Sequence, residues 1–321
     1  MNAGKTKIAV MYASFGIVAA AFAAKVEYID FQSESMQKSV PVSVILPDAY
    51  ETDANVRFPV VFALHGHSGE SKNFYQARPG GLLPNLADKY GFIAVCPDGG
   101  YGSWWIDSPV NPKIKYETLV VKEVLPFVDE KYRTLANKKH RAIFGVSMGG
   151  HGACYIGFRH TDLFGAVGNI VGGVDLTPYY GRFGLNEVLG KPGENTKNWQ
   201  EFSAITQAKN LKNGDIELVT FCGTSDFFLG PNRLLHDLLS ANRVKHTYVE
   251  LRGEDEEHST HTLGFSYGVI PLAARFFDSY FRTGKASLWR PQPVFLPRVR
   301  LAPSRLCRKD QRRGWSSWRG T

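Results

Sequence analysis

Cysteine is scarce in this 321-residue chain, and no long apolar run follows Ala24. Cys96, Cys154, Cys222 and Cys307 are too few and too widely spaced to staple a chain of this size into a disulfide scaffold. Cys96 and Cys222 stand in strand-like apolar runs and Cys154 in a helical segment, the setting of buried free thiols. No cysteine and histidine cluster has the spacing of a metal site, and no internal repeat is visible.

A basic body is also absent. The net charge of +8 is misleading, because from Lys285 onward ten Lys/Arg face one acidic residue, Asp310. That surplus of nine leaves the preceding body at −1. No basic face is implied for a folded part, so no nucleic-acid partner is expected. With 43% hydrophobic and 21% charged residues, the chain can bury a full core.

The two ends read differently from the middle. Lys5 and Lys7 precede an uncharged stretch, Ile8 to Ala24, and Ala21-Phe22-Ala23 fits a small-x-small cleavage site. This is the order of a secretory signal peptide over residues 1–23. The stretch is short and alanine-rich for a membrane span, so no stable membrane anchoring is expected and the mature protein is secreted or periplasmic. Residues 285–321 mix prolines with arginines without periodicity and read as a disordered basic tail.

Between them, over residues 24–284, strand-like and helix-like segments alternate. Val40–Leu46, Pro59–Leu64, Phe92–Cys96, Ala142–Val146, Ala166–Val171, Ile216–Cys222 and Thr247–Leu251 read as strands. Leu82–Tyr90, Tyr116–Glu130, Met148–Arg159, Arg233–Ala241 and Ile270–Tyr280 read as helices. Alternation of this kind predicts an α/β fold, a mainly parallel central sheet with helices on both faces. Residues 175–203, punctuated by glycines and prolines, read as an irregular excursion over one end of the sheet.

The most informative motif is Gly145-Val146-Ser147-Met148-Gly149-Gly150, placed after the apolar run Ala142-Ile143-Phe144. Glycines two before and two after a serine permit a sharp strand-to-helix turn with the hydroxyl at its tip. A helix that starts at Met148 would aim its N-terminus at charge developing there during acyl transfer. Upstream, Val60–Leu64 runs into His65-Gly66-His67-Ser68-Gly69, where the backbone N–H of His67 could join that of Met148 as an oxyanion donor. His65 reads as a structural hydrogen-bonding residue. Downstream, Asp226 follows a strand and suits the acid that orients a histidine, whereas Asp215 lies on the wrong side of that strand and Asp237 in a helix. His258 and His261, in the next loop, both satisfy the order serine, acid, histidine. The acidic run Glu254-Asp255-Glu256-Glu257 beside them reads as a solvated loop.

These motifs resemble the esterase D/tributyrin esterase family of α/β-hydrolases, which includes S-formylglutathione hydrolases, feruloyl esterases and acetyl esterases. The resemblance covers roughly Val26 to Tyr280. It rests on Leu64-His65-Gly66, Pro97-Asp98-Gly99-Gly100, Ser103-Trp104-Trp105-Ile106-Asp107-Ser108-Pro109, Gly145–Gly152, Asp226-Phe227-Phe228-Leu229 and His261-Thr262. It implies an α/β-hydrolase fold with Ser147 as nucleophile, Asp226 as orienting acid and His261 as base. Leu263 and Ser266 replace the two tryptophans of the family's pattern after the histidine, and His258 stays an alternative base.

The implied activity is a secreted serine esterase acting on short-chain or carbohydrate-linked esters of acetyl or feruloyl type, with no metal or organic cofactor. No long amphipathic lid is visible, which argues against a lipase working at an oil interface. Trp104, Trp105, Tyr101, Tyr179 and Tyr180 are candidate pocket walls. An acyltransferase with the same residues, or a non-catalytic binding protein on the same scaffold, are the competing readings. Oligomeric state is not legible.

Overall fold

Five runs in which almost every residue is apolar form the middle of one eight-stranded sheet. The computed structural model describes residues 24–76, 81–252 and 260–288. The strands are β1 (Lys25–Ser33), β2 (Lys38–Leu46), β3 (Val60–Leu64), β4 (Ile93–Pro97), β5 (Arg141–Val146), β6 (Ala166–Ile170), β7 (Glu217–Gly223) and β8 (Thr247–Leu251). Their spatial order is β1-β2-β4-β3-β5-β6-β7-β8. β1 pairs antiparallel with β2 and β2 with β4, and every other pair is parallel.

The central strands are covered on both sides, which is why they read as continuous apolar runs rather than alternating ones. Along β3, Val60, Phe62 and Leu64 point into one core, and Val61 and Ala63 into the other. Helix α1 (Leu82–Tyr90) and the long α4 (Leu263–Thr283) close the second core through Leu83, Leu86, Ile270 and Phe277. The first core is closed by α2 (Met148–Arg159), by α3 (Leu229–Ala241), and by a helical stretch spanning Tyr116–Thr118, Leu119–Val124 and Leu125–Lys131. The expected α/β-hydrolase architecture, helices on both faces, is the one observed.

Three local differences have physical causes. Strand β1 has no counterpart among the sequence-read strands; it is an edge strand and mostly half-exposed, so its apolar signal is diluted by Lys25, Glu27 and Asp30. Helices α3 and α4 begin at Leu229 and Leu263, earlier than their apolar periodicity indicates. In α4 the early residues include Gly264 and Gly268, which lower helix propensity, but the Thr262 hydroxyl accepts from the Phe265 N–H and caps the start. Residues 175–203 are more regular than expected, with a 3₁₀ turn at Thr177–Tyr179 and helices Leu185–Leu189 and Pro192–Glu201. Leu185, Val188, Leu189 and Trp199 anchor them in the first core.

Parallel pairing puts the C-terminal ends of β3, β5, β6 and β7 along one edge of the sheet. Leu64 pairs with Gly145, and Val146 with Ile170. The loops carrying His65–Gly69, Ser147 and Asp226 all leave from that edge, where α/β sheets place their ligand sites.

Candidate active site

Ser147 stands between β5 and α2 with φ +58° and ψ −117°, a backbone conformation that L residues rarely adopt. Two glycines permit it. A methyl group built on Gly145 would lie 2.1 Å from the Gly149 carbonyl oxygen, and one on Gly149 would lie 2.0 Å from that of Leu64. The turn is therefore wedged between β3 and its own helix, and the Ser147 N–H is tied to the Ile170 carbonyl at 2.9 Å.

The loop after β3 lies directly on this turn. A methyl on Gly66 would come 3.3 Å from Ser147 Cβ. His65 is buried, and its Nε2 accepts from the Gly99 N–H at 2.7 Å while Nδ1 donates to the Gly66 carbonyl at 2.8 Å. Both ring nitrogens are thus engaged with backbone, the structural hydrogen-bonding role its sequence position suggests, and burial pushes its pKa down. The Trp105 indole donates to the His65 carbonyl at 3.2 Å. Gly99, from the Pro97–Gly100 motif, and Trp105, from the Trp104-Trp105 motif, thus brace the loop. The His67 ring packs edge-on against Tyr101 at 4.5 Å, and burial lowers its pKa as well. Met148 opens α2, so its N–H is one of the terminal donors a helix cannot satisfy internally.

Asp226 follows β7 with its carboxylate fully shielded from solvent. Oδ1 accepts from the Phe228 N–H at 2.7 Å, and Oδ2 lies 2.9 Å from His261 Nδ1. His261 Nε2 in turn lies 2.7 Å from Ser147 Oγ. The geometry fits one tautomer, with Nδ1–H donating to the acid and Nε2 accepting from the serine hydroxyl. Phe227 and Phe228 pack on the imidazole at 4.3 and 5.3 Å. His261 directly precedes the Thr262 cap of α4, which sets its approach. Of the two residues that depart from the family pattern, Leu263 is exposed at the cavity mouth and Ser266 is buried, donating to the Thr262 carbonyl. His258 and its acidic neighbours, the residues 1–23, the tail beyond Leu288 and Cys307 lie outside the described residues.

Ser147 and His261 open into a cavity of about 440 Å³ walled by His67, Trp104, Phe183 and Phe227. A second cavity of about 470 Å³ shares His67 and Phe183 with it and is lined by Tyr101, Tyr116, Lys38 and Glu187. Of the aromatic candidates, Trp104 lines the first cavity and Tyr101 the second. Trp105 is buried behind His65, Tyr179 supports Phe183 and Phe228, and Tyr180 packs on Trp199. The reading from sequence missed Phe183, whose only mark is its place inside the 175–203 excursion. Cys96, Cys154 and Cys222 are buried free thiols away from this cavity. Among the described residues no group of three or more His, Cys, Asp or Glu is placed to hold a metal ion, and no helix is long and apolar enough to cross a membrane.

A family model described as "Putative esterase" matches residues 33–264, and the chain belongs to that family. Esterase Rv1288 of Mycobacterium tuberculosis is 31% identical over 157 residues, 48% of this chain and 34% of that protein. An endo-1,4-beta-xylanase/feruloyl esterase of Xylanibacter ruminicola is 29% identical over 164 residues, 46% of this chain and 22% of that protein. The chain therefore spans about a third or less of the length of these relatives. In fold it is similar to a ferulic acid esterase, with a TM-score of 0.67 and 23% identity over 81% of this chain and 100% of the other.

Proposed function

We propose that the chain is a carboxylic ester hydrolase that works through Ser147, His261 and Asp226. The observation that carries this reading is the unbroken pair of hydrogen bonds, 2.7 and 2.9 Å, joining the three side chains at the wall of a cavity. His261 takes the serine proton as Oγ attacks the ester carbonyl, and the backbone N–H groups of His67 and Met148 hold the oxyanion. The imidazolium then protonates the leaving alcohol. Water, activated by the same nitrogen, releases the acid from the acyl-enzyme. Asp226 keeps the ring in the required tautomer and stabilises its charge.

For substrate we propose short-chain or carbohydrate-linked esters of acetyl or feruloyl type. The aromatic wall of the first cavity suits a small or planar acyl group, and a matched relative is named an endo-1,4-beta-xylanase/feruloyl esterase. The Lys5–Ala23 pattern supports a secreted or periplasmic location. The test is a panel of p-nitrophenyl acetate, methyl ferulate and acetylated xylo-oligosaccharides, with released acid measured. Turnover of at least one, abolished in Ser147→Ala, is expected; a folded chain inert on all three contradicts the proposal.

A further inference from the structure

Two asparagines occupy the apolar interior where neither the proton relay nor the cavity uses them. Asn169 lies in β6 and Asn232 in the first turn of α3, and both are fully buried. A buried carboxamide destabilises a core unless its groups are paired, and here they are. Asn169 Nδ2 donates to Asn232 Oδ1 at 2.7 Å, and Asn169 Oδ1 accepts from the Gly172 N–H at 2.9 Å. Asn232 Nδ2 donates to the Gly172 carbonyl at 2.9 Å and to the Phe228 carbonyl at 2.8 Å.

These bonds join the loop that follows β6 to the loop that carries Asp226. Phe228 is held at both ends, its N–H by the Asp226 carboxylate and its carbonyl by Asn232. Gly172, the other partner, lies against the first turn of α2, where a methyl on it would come 2.7 Å from the Gly150 carbonyl carbon and 2.9 Å from the His151 nitrogen. The same strand end ties down the nucleophile, since Ser147 N–H donates to the Ile170 carbonyl one residue past Asn169. A leucine would fill the Asn232 site equally well if packing were its purpose. It could not bridge Gly172 and Phe228.

We infer that Asn232, backed by Asn169, is a positioning residue that clamps the acid-bearing loop to the strand end supporting the nucleophile, and so fixes the Asp226 carboxylate against His261. The inference rests on the proposed serine, histidine and aspartate roles. It predicts that Asn232 acts on rate and not on substrate affinity, and only through Asp226.

A double-mutant cycle tests it, with kcat and KM for p-nitrophenyl acetate measured in Asn232→Leu, Asp226→Asn and the combination. Asn232→Leu is expected to lower kcat by about 10- to 100-fold, the scale of a small misplacement in a reacting constellation, with KM within about twofold. In the Asp226→Asn background the same change is expected to cost less than about threefold, because its target is gone. A folded Asn232→Leu variant with wild-type kcat, or equal losses in both backgrounds, overturns the inference. Should that variant not fold, Asn169→Ser takes its place in the cycle. It keeps a hydroxyl near Gly172 but loses the bond to Asn232, so a smaller kcat loss confined to the Asp226 background is expected, and wild-type kcat overturns the clamp. Ser147→Ala run in parallel separates the two failures: if it remains active the relay itself is wrong and the clamp falls with it, whereas an inactive Ser147→Ala beside an unaffected Asn232→Leu overturns the clamp alone.

Discussion

His261 Nε2 lies 2.7 Å from Ser147 Oγ although 114 positions separate the two residues in the chain. The opposite edge of the ring is held at 2.9 Å by Asp226, so the imidazole has one orientation and one tautomer that suit both neighbours. Asp226→Asn removes the charge and offers an amide that favours the other tautomer. The expected result is a kcat about 10⁴-fold lower with KM little changed, read from steady-state hydrolysis of p-nitrophenyl acetate. A loss below about tenfold would mean that Asp226 does not orient the base.

The serine turn is expected to tolerate no added methyl. In Gly149→Ala the new carbon would meet the Leu64 carbonyl oxygen at 2.0 Å, and backbone on both sides leaves little room to yield. The cost is expected to reach or exceed the 1–3 kcal/mol typical of an overpacked core, that is about 3 kcal/mol. Gly193→Ala is the control, because nothing lies within 4 Å of its added carbon and it sits in the helix Pro192–Glu201. That variant should be neutral or more stable by about 0.5 kcal/mol. Urea unfolding of the two proteins distinguishes them, and equal midpoints would contradict the close packing of Gly149 on Leu64.

Acid should destabilise the fold through His151. This residue of α2 is wholly buried, and burial pushes its pKa down to about 4, although the Phe202 and Trp104 carbonyls beside its ring nitrogens favour the charged form. Between pH 6.5, the ordinary histidine value, and about 4 the unfolded chain takes up a proton that the folded one refuses. Stability contributed by the neutral ring is complete above pH 6.5 and declines towards pH 4 by about 3 kcal/mol. Unfolding free energies of wild type and His151→Gln, compared across this range, should converge with falling pH. Parallel curves would contradict the assignment.

Phe183 lines both cavities and does so from a left-handed backbone, φ +55°. Its carbonyl accepts from the Trp104 indole, and its ring packs on Phe227 at 6.0 Å. Truncation in Phe183→Ala should join the cavities and favour bulkier esters. The kcat/KM ratio of p-nitrophenyl butyrate to acetate is expected to rise about tenfold, the scale of one or two methylenes in an apolar pocket. An unchanged ratio would show that Phe183 does not bound the substrate.

Much of this site was legible in the sequence because its parts are local. Glycine spacing around Ser147 marks the turn, and the helix Met148–Arg159 was read with its observed ends. Asp226 was separable from Asp215 and Asp237 by its place after a strand. His261 was not separable from His258 on local grounds, since the distance to the serine is set by where Thr262 caps α4. The resemblance to a family favoured His261. Asn169 and Asn232 gave no local signal, because their partnership exists only once β6 and α3 are brought together in space. Phe183 was hidden for a similar reason, and β1 because an edge strand exposes one face.

The most direct measurement is labelling of the folded chain with a fluorophosphonate probe, followed by peptide mapping. Attack by an activated serine predicts one modified residue, Ser147, with labelling lost in both Ser147→Ala and His261→Ala. A folded chain that takes no label, or that is labelled as fast without His261, would contradict the proton relay on which the whole account rests.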